Sequence, residues 1–103
     1  MKVKKETPKA RRTRELNERF HEMKAVWLQD HPRCEANIPG KCSGWAIEIH
    51  HQKGREFSED GIPLVVHEKY FLAVCRNCHT YIENHKTEAY ENGWSVKRHQ
   101  VAA

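Results

Sequence analysis

The sequence predicts a small α+β domain of two strands and a helix with a four-cysteine metal site, and an additional helix ahead of them. Three observations carry this reading. An amphipathic stripe at helical spacing occupies residues 14–29, an apolar/polar alternation occupies residues 46–51, and four cysteines fall into two distant pairs, Cys34 with Cys42 and Cys75 with Cys78. A chain of 103 residues suits a single domain. With 38% hydrophobic and 31% charged residues and a mean hydropathy of −0.91, its core is thin, and a thin core in a small chain usually needs a metal or covalent staple.

The net charge of +4 is concentrated at one end: residues 1–14 hold seven Lys/Arg against Glu6 alone. Such a block repels itself and suits polyanions, so residues 1–14 read as a basic flexible tail ahead of a folded domain spanning residues 15–103. The alternative is a tail that only solubilises. Beyond it, Leu16, Phe20, Met23 and Trp27 recur at steps of four, three and four, the stripe of a helix that packs on one face. Thr13 is the expected N-cap, with Asp30, His31 and Pro32 as the stop. A stripe of this kind is a packing face, with a partner-binding helix as the alternative.

Residues 34–44 carry turn formers around Asn37, Pro39 and Gly40, which let a chain reverse about an ion. Ile47 and Ile49 alternate with Glu48 and His50, predicting a strand over residues 46–51. Residues 54–63 read as loop, a second strand is expected within residues 70–74, and residues 77–92 read as one helix ended by Gly93. Residues 94–103 have no strong period, although Trp94 is placed to fold back on that helix.

No apolar run approaches the roughly 20 residues that span a bilayer, and no apolar h-region follows the N-terminal charges. The expected location is therefore cytoplasmic, where four cysteines more often hold a metal than form disulfides. In Cys75-Arg76-Asn77-Cys78 two thiolates from one tight turn can meet a single ion at ~2.3 Å. Cys34 and Cys42 complete a closed tetrahedral set, for which zinc is the first candidate; a redox pair is the alternative reading of C-x2-C.

His50 and His51 end the first predicted strand, so their side chains leave opposite faces and can do two different jobs. His79 directly follows Cys78, where a metal turn would set its direction. Any one of these is unremarkable on a surface; three gathered near one metal turn suggest a site.

Taken together, Cys34, Cys42, the run Ile49-His50-His51-Gln52-Lys53-Gly54-Arg55 and the run Phe71-Leu72-Ala73-Val74-Cys75-Arg76-Asn77-Cys78-His79 resemble the zinc-containing branch of the HNH endonucleases, especially the small forms common in bacteriophages. The resemblance covers residues 34–92. It implies the ββα-metal fold, a hairpin and helix clamped around one catalytic divalent ion (Mg²⁺, Mn²⁺ or Ni²⁺) beside a structural Zn²⁺ held by the four cysteines. It places His50 and His79 as ligands of the catalytic ion and His51 as the general base that activates water for phosphodiester hydrolysis. Lys53, Arg55 and Arg76 lie close enough in sequence to hold phosphate oxygens. The implied partner is double-stranded DNA, with phage packaging or recombination proteins as possible associates in a bacterial host cell.

The sequence departs from the family pattern twice. The middle Asn falls at Tyr70, leaving His67 or Glu68 as candidates to orient the base. The last histidine of the family falls at Glu83, which shares a helix face with His79 and so could ligate in its place, the alternative being a solvated helix carboxylate, whereas His85 lies well off that face. The alternative function is a non-catalytic zinc-stabilised DNA-binding or phage accessory protein on the same scaffold. A weaker third is a zinc-ribbon protein that joins an assembly through its first helix.

Overall fold

The computed structural model describes residues 5–97. The elements are α1 (Pro8–Asp30), β1 (Glu48–His51), β2 (Ser58–Glu59), β3 (Ile62–Pro63), two single 3-10 turns (Leu64–Val66 and Glu68–Tyr70), β4 (Phe71–Val74), α2 (Arg76–Asn84) and α3 (Lys86–Glu91). β1 and β4 pair antiparallel, with Glu48 opposite Val74 and His51 opposite Phe71. Cys75 alone separates β4 from α2, so hairpin and helix form one continuous unit.

The first helix starts earlier than its charge suggests. Thr7 is the N-cap, its hydroxyl accepting from Ala10 N–H at 3.1 Å, and Pro8 is the first helical residue, where a missing N–H costs nothing. Glu6 accepts from Arg14 at 2.9 and 3.1 Å, and Arg14 reaches on to Glu18. Thr13 is therefore an interior residue whose hydroxyl donates to the Lys9 carbonyl, and residues 8–14, expected as flexible tail, are the opening turns of α1. Residues 1–4 lie outside the described chain, as do residues 98–103.

The stripe on α1 packs as expected. Phe20 is buried with Ile49, Val65, Val66 and Phe71, while Leu16, Met23 and Trp27 close around them. A second core on the other side of the hairpin gathers the cysteines with Ile38, Val74, Ile82 and Ala89. Trp94 does return to α2, edge-on to Tyr81.

Two elements differ from expectation. Residues 54–63 were expected as loop but contain the small β2–β3 hairpin, closed by Asp60 (φ 54°) and Gly61 (φ 77°), the left-handed pair that a two-residue connection requires. The expected single helix over residues 77–92 is broken at His85 (φ −133°, ψ 62°). The cause is local: His85 Nδ1 bonds the Tyr81 carbonyl at 2.9 Å and its ring stacks on Tyr81. That carbonyl is the acceptor the His85 N–H would need to continue the helix, and the N–H turns to Ile82 instead.

The outer edge of β4 is closed by Glu35. Its N–H donates to the Ala73 carbonyl and its carboxylate accepts from the Ala73 N–H, both at 2.7 Å. Ala73 is fully buried, so Glu35→Ala orphans an N–H that water cannot reach. Denaturant titration should show a loss of about 1–3 kcal/mol, with Glu35→Gln retaining most of the stability. Equal stability of Glu35→Ala and wild type would contradict this role.

Candidate metal centres and histidine cleft

The four cysteines, distant in sequence, converge: their sulfurs lie within 4.8 Å of one another, and all four are free thiols. Ideal tetrahedral zinc–thiolate geometry sets sulfurs about 3.8 Å apart, so the cluster is compatible with a structural ion such as zinc. Backbone N–H groups already point at the sulfurs. Ser43 donates to Cys75 at 3.4 Å, Gly44 to Cys42 at 3.3 Å, and Cys78 to Cys75 at 3.3 Å. Gly40, at φ +76°, adopts a left-handed conformation that lets the first loop turn back toward Cys42.

Electrostatics divides the thiols. Burial pushes Cys78 and Cys42 up. At Cys75 burial pushes the same way, but hydrogen bonds from Ser43 and Cys78 bring the thiol down to about 6. A bound cation would let all four sulfurs ionise together. Cys75 is also the N-cap of α2, where the positive end of a helix favours a thiolate.

On the other side of this turn, alternation along β1 sends Glu48 and His50 toward α2 and Ile49 and His51 toward α1. Ligand atoms of His50, His79 and Glu83 lie within 4.8 Å of one another, two imidazoles and a carboxylate close enough that they could share one cation. The His79 ring is held at both nitrogens: Nδ1 lies 2.9 Å from Glu48 Oε1 and Nε2 lies 3.2 Å from Glu83 Oε1. Glu48 thus orients His79, as a carboxylate behind a metal-binding histidine does. Glu48 was missed in the sequence, although its two-residue offset from His50 already put both on one face. His85 stacks on Tyr81 and takes no part in this group.

His51 faces a different environment. Its ring packs on Phe20 at 4.7 Å and Phe71 at 5.3 Å, and its Nε2 donates to the Val65 carbonyl at 3.0 Å, which leaves Nδ1 as the basic nitrogen. Burial lowers His51 to about 4, with the Arg55 and His79 charges adding to it against the Val65 bond. Burial lowers His50 to about 4 as well. Both rings are neutral at cellular pH. His67 and Glu68, the two side chains considered for orienting His51, do not do so: His67 is buried edge-on to Tyr70, and Glu68 is exposed beside α1. The orienting group is a main-chain carbonyl of the first 3-10 turn, which no side-chain pattern announces.

Both histidine faces open on one cleft of about 560 Å³ lined by His50, His51, His79, Glu83 and Arg55. Of the three cations considered for phosphate, the structure separates one from the others. Lys53 bonds Glu59 at 2.6 Å with its side chain only 8% exposed, and its ammonium lies 4.3 Å from the Tyr70 ring centre. It latches the chain just after β1 to the β2–β3 hairpin while lining the same cleft. Arg55 is exposed at the rim, with one N–H on Asn17 at 2.7 Å, and Arg76 is 77% exposed beside Glu48 at 3.4 Å. Tyr70, where the family pattern has Asn, lies beneath the Lys53 and Lys69 ammonium groups.

Compared with known proteins, the chain matches no family model, no curated protein and no solved structure. No helix among the described residues is long and apolar enough to cross a membrane.

The cysteine cluster generates a direct expectation. Elemental analysis should find about one tightly held zinc per chain, and Cys75→Ser should lose both the zinc and the cooperative unfolding transition seen by circular dichroism. A native chain without zinc, or one whose cysteines pair as disulfides, would contradict the assignment.

Proposed function

We propose that this chain is a metal-dependent DNA endonuclease of the HNH type, a ββα-metal unit that hydrolyses phosphodiester bonds. The observation that carries the proposal is the division of labour between adjacent histidines. His50 joins His79 and Glu83 in a group suited to one divalent ion, while His51, next along the strand, is neutral and fixed through Nε2. The ion, Mg²⁺, Mn²⁺ or Ni²⁺, would offset charge on the scissile phosphate and on the departing oxygen. A carboxylate in the set favours the harder Mg²⁺ and Mn²⁺.

In this reading His51 Nδ1 takes a proton from water as the water oxygen forms its bond to phosphorus and the bond to the 3′ oxygen breaks. Arg55 and Arg76 hold phosphate oxygens, Arg76 while remaining near Glu48. The expected substrate is double-stranded DNA, and the basic residues that open α1 add affinity that falls with salt. Lys53 is already bonded to Glu59. Loss of that cation to Glu59 is the observation favouring the second reading, a non-catalytic zinc-stabilised DNA-binding protein on the same scaffold.

Plasmid nicking with Mg²⁺ or Mn²⁺, abolished by EDTA under conditions that leave the zinc in place, separates the two. His51→Ala should lower kcat by about 100- to 10,000-fold with zinc content and DNA affinity nearly unchanged. Glu83→Ala should be severely impaired and His85→Ala almost silent. Wild-type cleavage by His51→Ala would remove the base, and an inactive His85→Ala beside an active Glu83→Ala would remove the ligand set.

The pH dependence follows from burial. A base whose folded pKa is lowered from 6.5 to about 4 is unprotonated across the neutral range and is lost only as pH falls through the lower value. At saturating ion, kcat/KM should therefore hold down through pH 6 and decline toward pH 4. An acid limb centred at 6.5 or above would contradict a buried, neutral His51.

A further inference from the structure

After α3 the chain turns back across the end of β1. The Gly93 carbonyl accepts from Gln52 Nε2 at 3.1 Å, the Ser95 N–H donates to the Ala89 carbonyl at 3.0 Å, and the Val96 N–H donates to the Gln52 carbonyl at 2.8 Å. These bonds hold residues 93–96 as a strap over the histidine cleft. They bring the Ser95 hydroxyl to 2.8 Å from His50 Nε2, across 45 positions of sequence.

An imidazole has two ring nitrogens, and a hydrogen bond at one decides which is left to bind an ion. At His79, Glu48 occupies Nδ1 and leaves Nε2 toward Glu83. At His50 Ser95 lies at Nε2, and with its hydroxyl accepting there Nδ1 is the nitrogen left. The two rings lie 5.3 Å apart between centroids, with opposite nitrogens engaged by their partners. We propose that Ser95 is a positioning residue of the His50, His79 and Glu83 centre, holding His50 in the Nε2–H form so that Nδ1 is presented to the divalent ion.

This inference rests on the reading of those three residues as a metal site. It adds that the strap after α3 is part of that site, so that the site is complete only when the chain beyond α3 is docked. Removing the hydroxyl leaves the strap's main-chain bonds in place, so Ser95→Ala is expected to fold.

The test uses the zinc-loaded full chain and two readouts. Calorimetric titration with Mn²⁺ measures the second ion, and ¹⁵N shifts of the histidine rings, taken without added Mn²⁺, report the His50 tautomer. Ser95→Ala should weaken Mn²⁺ binding by about ten-fold or more and move His50 away from the pure Nε2–H form. Zinc content and the unfolding midpoint should stay at wild-type values, and Ser95→Thr, which keeps a hydroxyl, should restore both readouts. Unchanged Mn²⁺ affinity in Ser95→Ala overturns the role of Ser95 alone. Tighter binding also overturns it, by showing that the hydroxyl competes with the ion for Nε2. Wild-type protein that takes up no Mn²⁺ contradicts the metal site itself, and the proposal with it.

Discussion

The turn from Cys75 to Cys78 has two obligations, and most of the structure follows from meeting both. It must place two sulfurs against Cys34 and Cys42, and it must start α2 immediately after β4. Because the same four residues do both, the direction of α2 is set by the cysteine cluster rather than by an extensive core. His79, the next residue, inherits that direction and meets β1. A chain with so little apolar surface gains orientation from one cluster that it could not obtain from packing alone.

The strand supplies the complementary constraint. A period of two assigns neighbouring residues to opposite faces, so two adjacent histidines occupy different environments without any loop between them. One face, which carries Glu48 beside His50, meets His79, Glu83 and Ser95, all polar; the other meets Phe20, Phe71 and the Val65 carbonyl. Burial keeps both imidazoles neutral, the state in which one can bind a cation and the other can accept a proton. The proposed nuclease therefore needs no unusual backbone at its centre. It needs a regular strand whose two faces are covered by different partners.

What could be read from the residues divides along physical lines. The stripe on α1, the alternation in β1 and the C-x2-C turn are local signals of short period, and each appears where it was expected. Glu83 and His79 share one turn of α2, so their meeting was also legible. The start of α1 was hidden because the charge of residues 1–14 outweighed a short cap signal, Thr7 followed by Pro8. The break at His85 depends on a side chain taking a main-chain acceptor, which composition does not reveal. Lys53 lies close to the histidines in sequence, but its bond to Glu59, six residues away on β2, is not announced by that closeness. Val65 acts through its carbonyl, and Ser95 arrives over a separation of 45 residues; neither carries a pattern.

We propose that one short turn organises two metal centres, a closed one of four sulfurs and an open one of two imidazoles and a carboxylate. The most direct measurement is anomalous diffraction from crystals of the full chain grown with Mn²⁺, collected at energies that separate zinc from manganese. The expected result is a zinc peak among Cys34, Cys42, Cys75 and Cys78 and a separate manganese peak among His50, His79 and Glu83. A manganese peak elsewhere, or none at this group, would contradict it, as would a cysteine cluster without zinc.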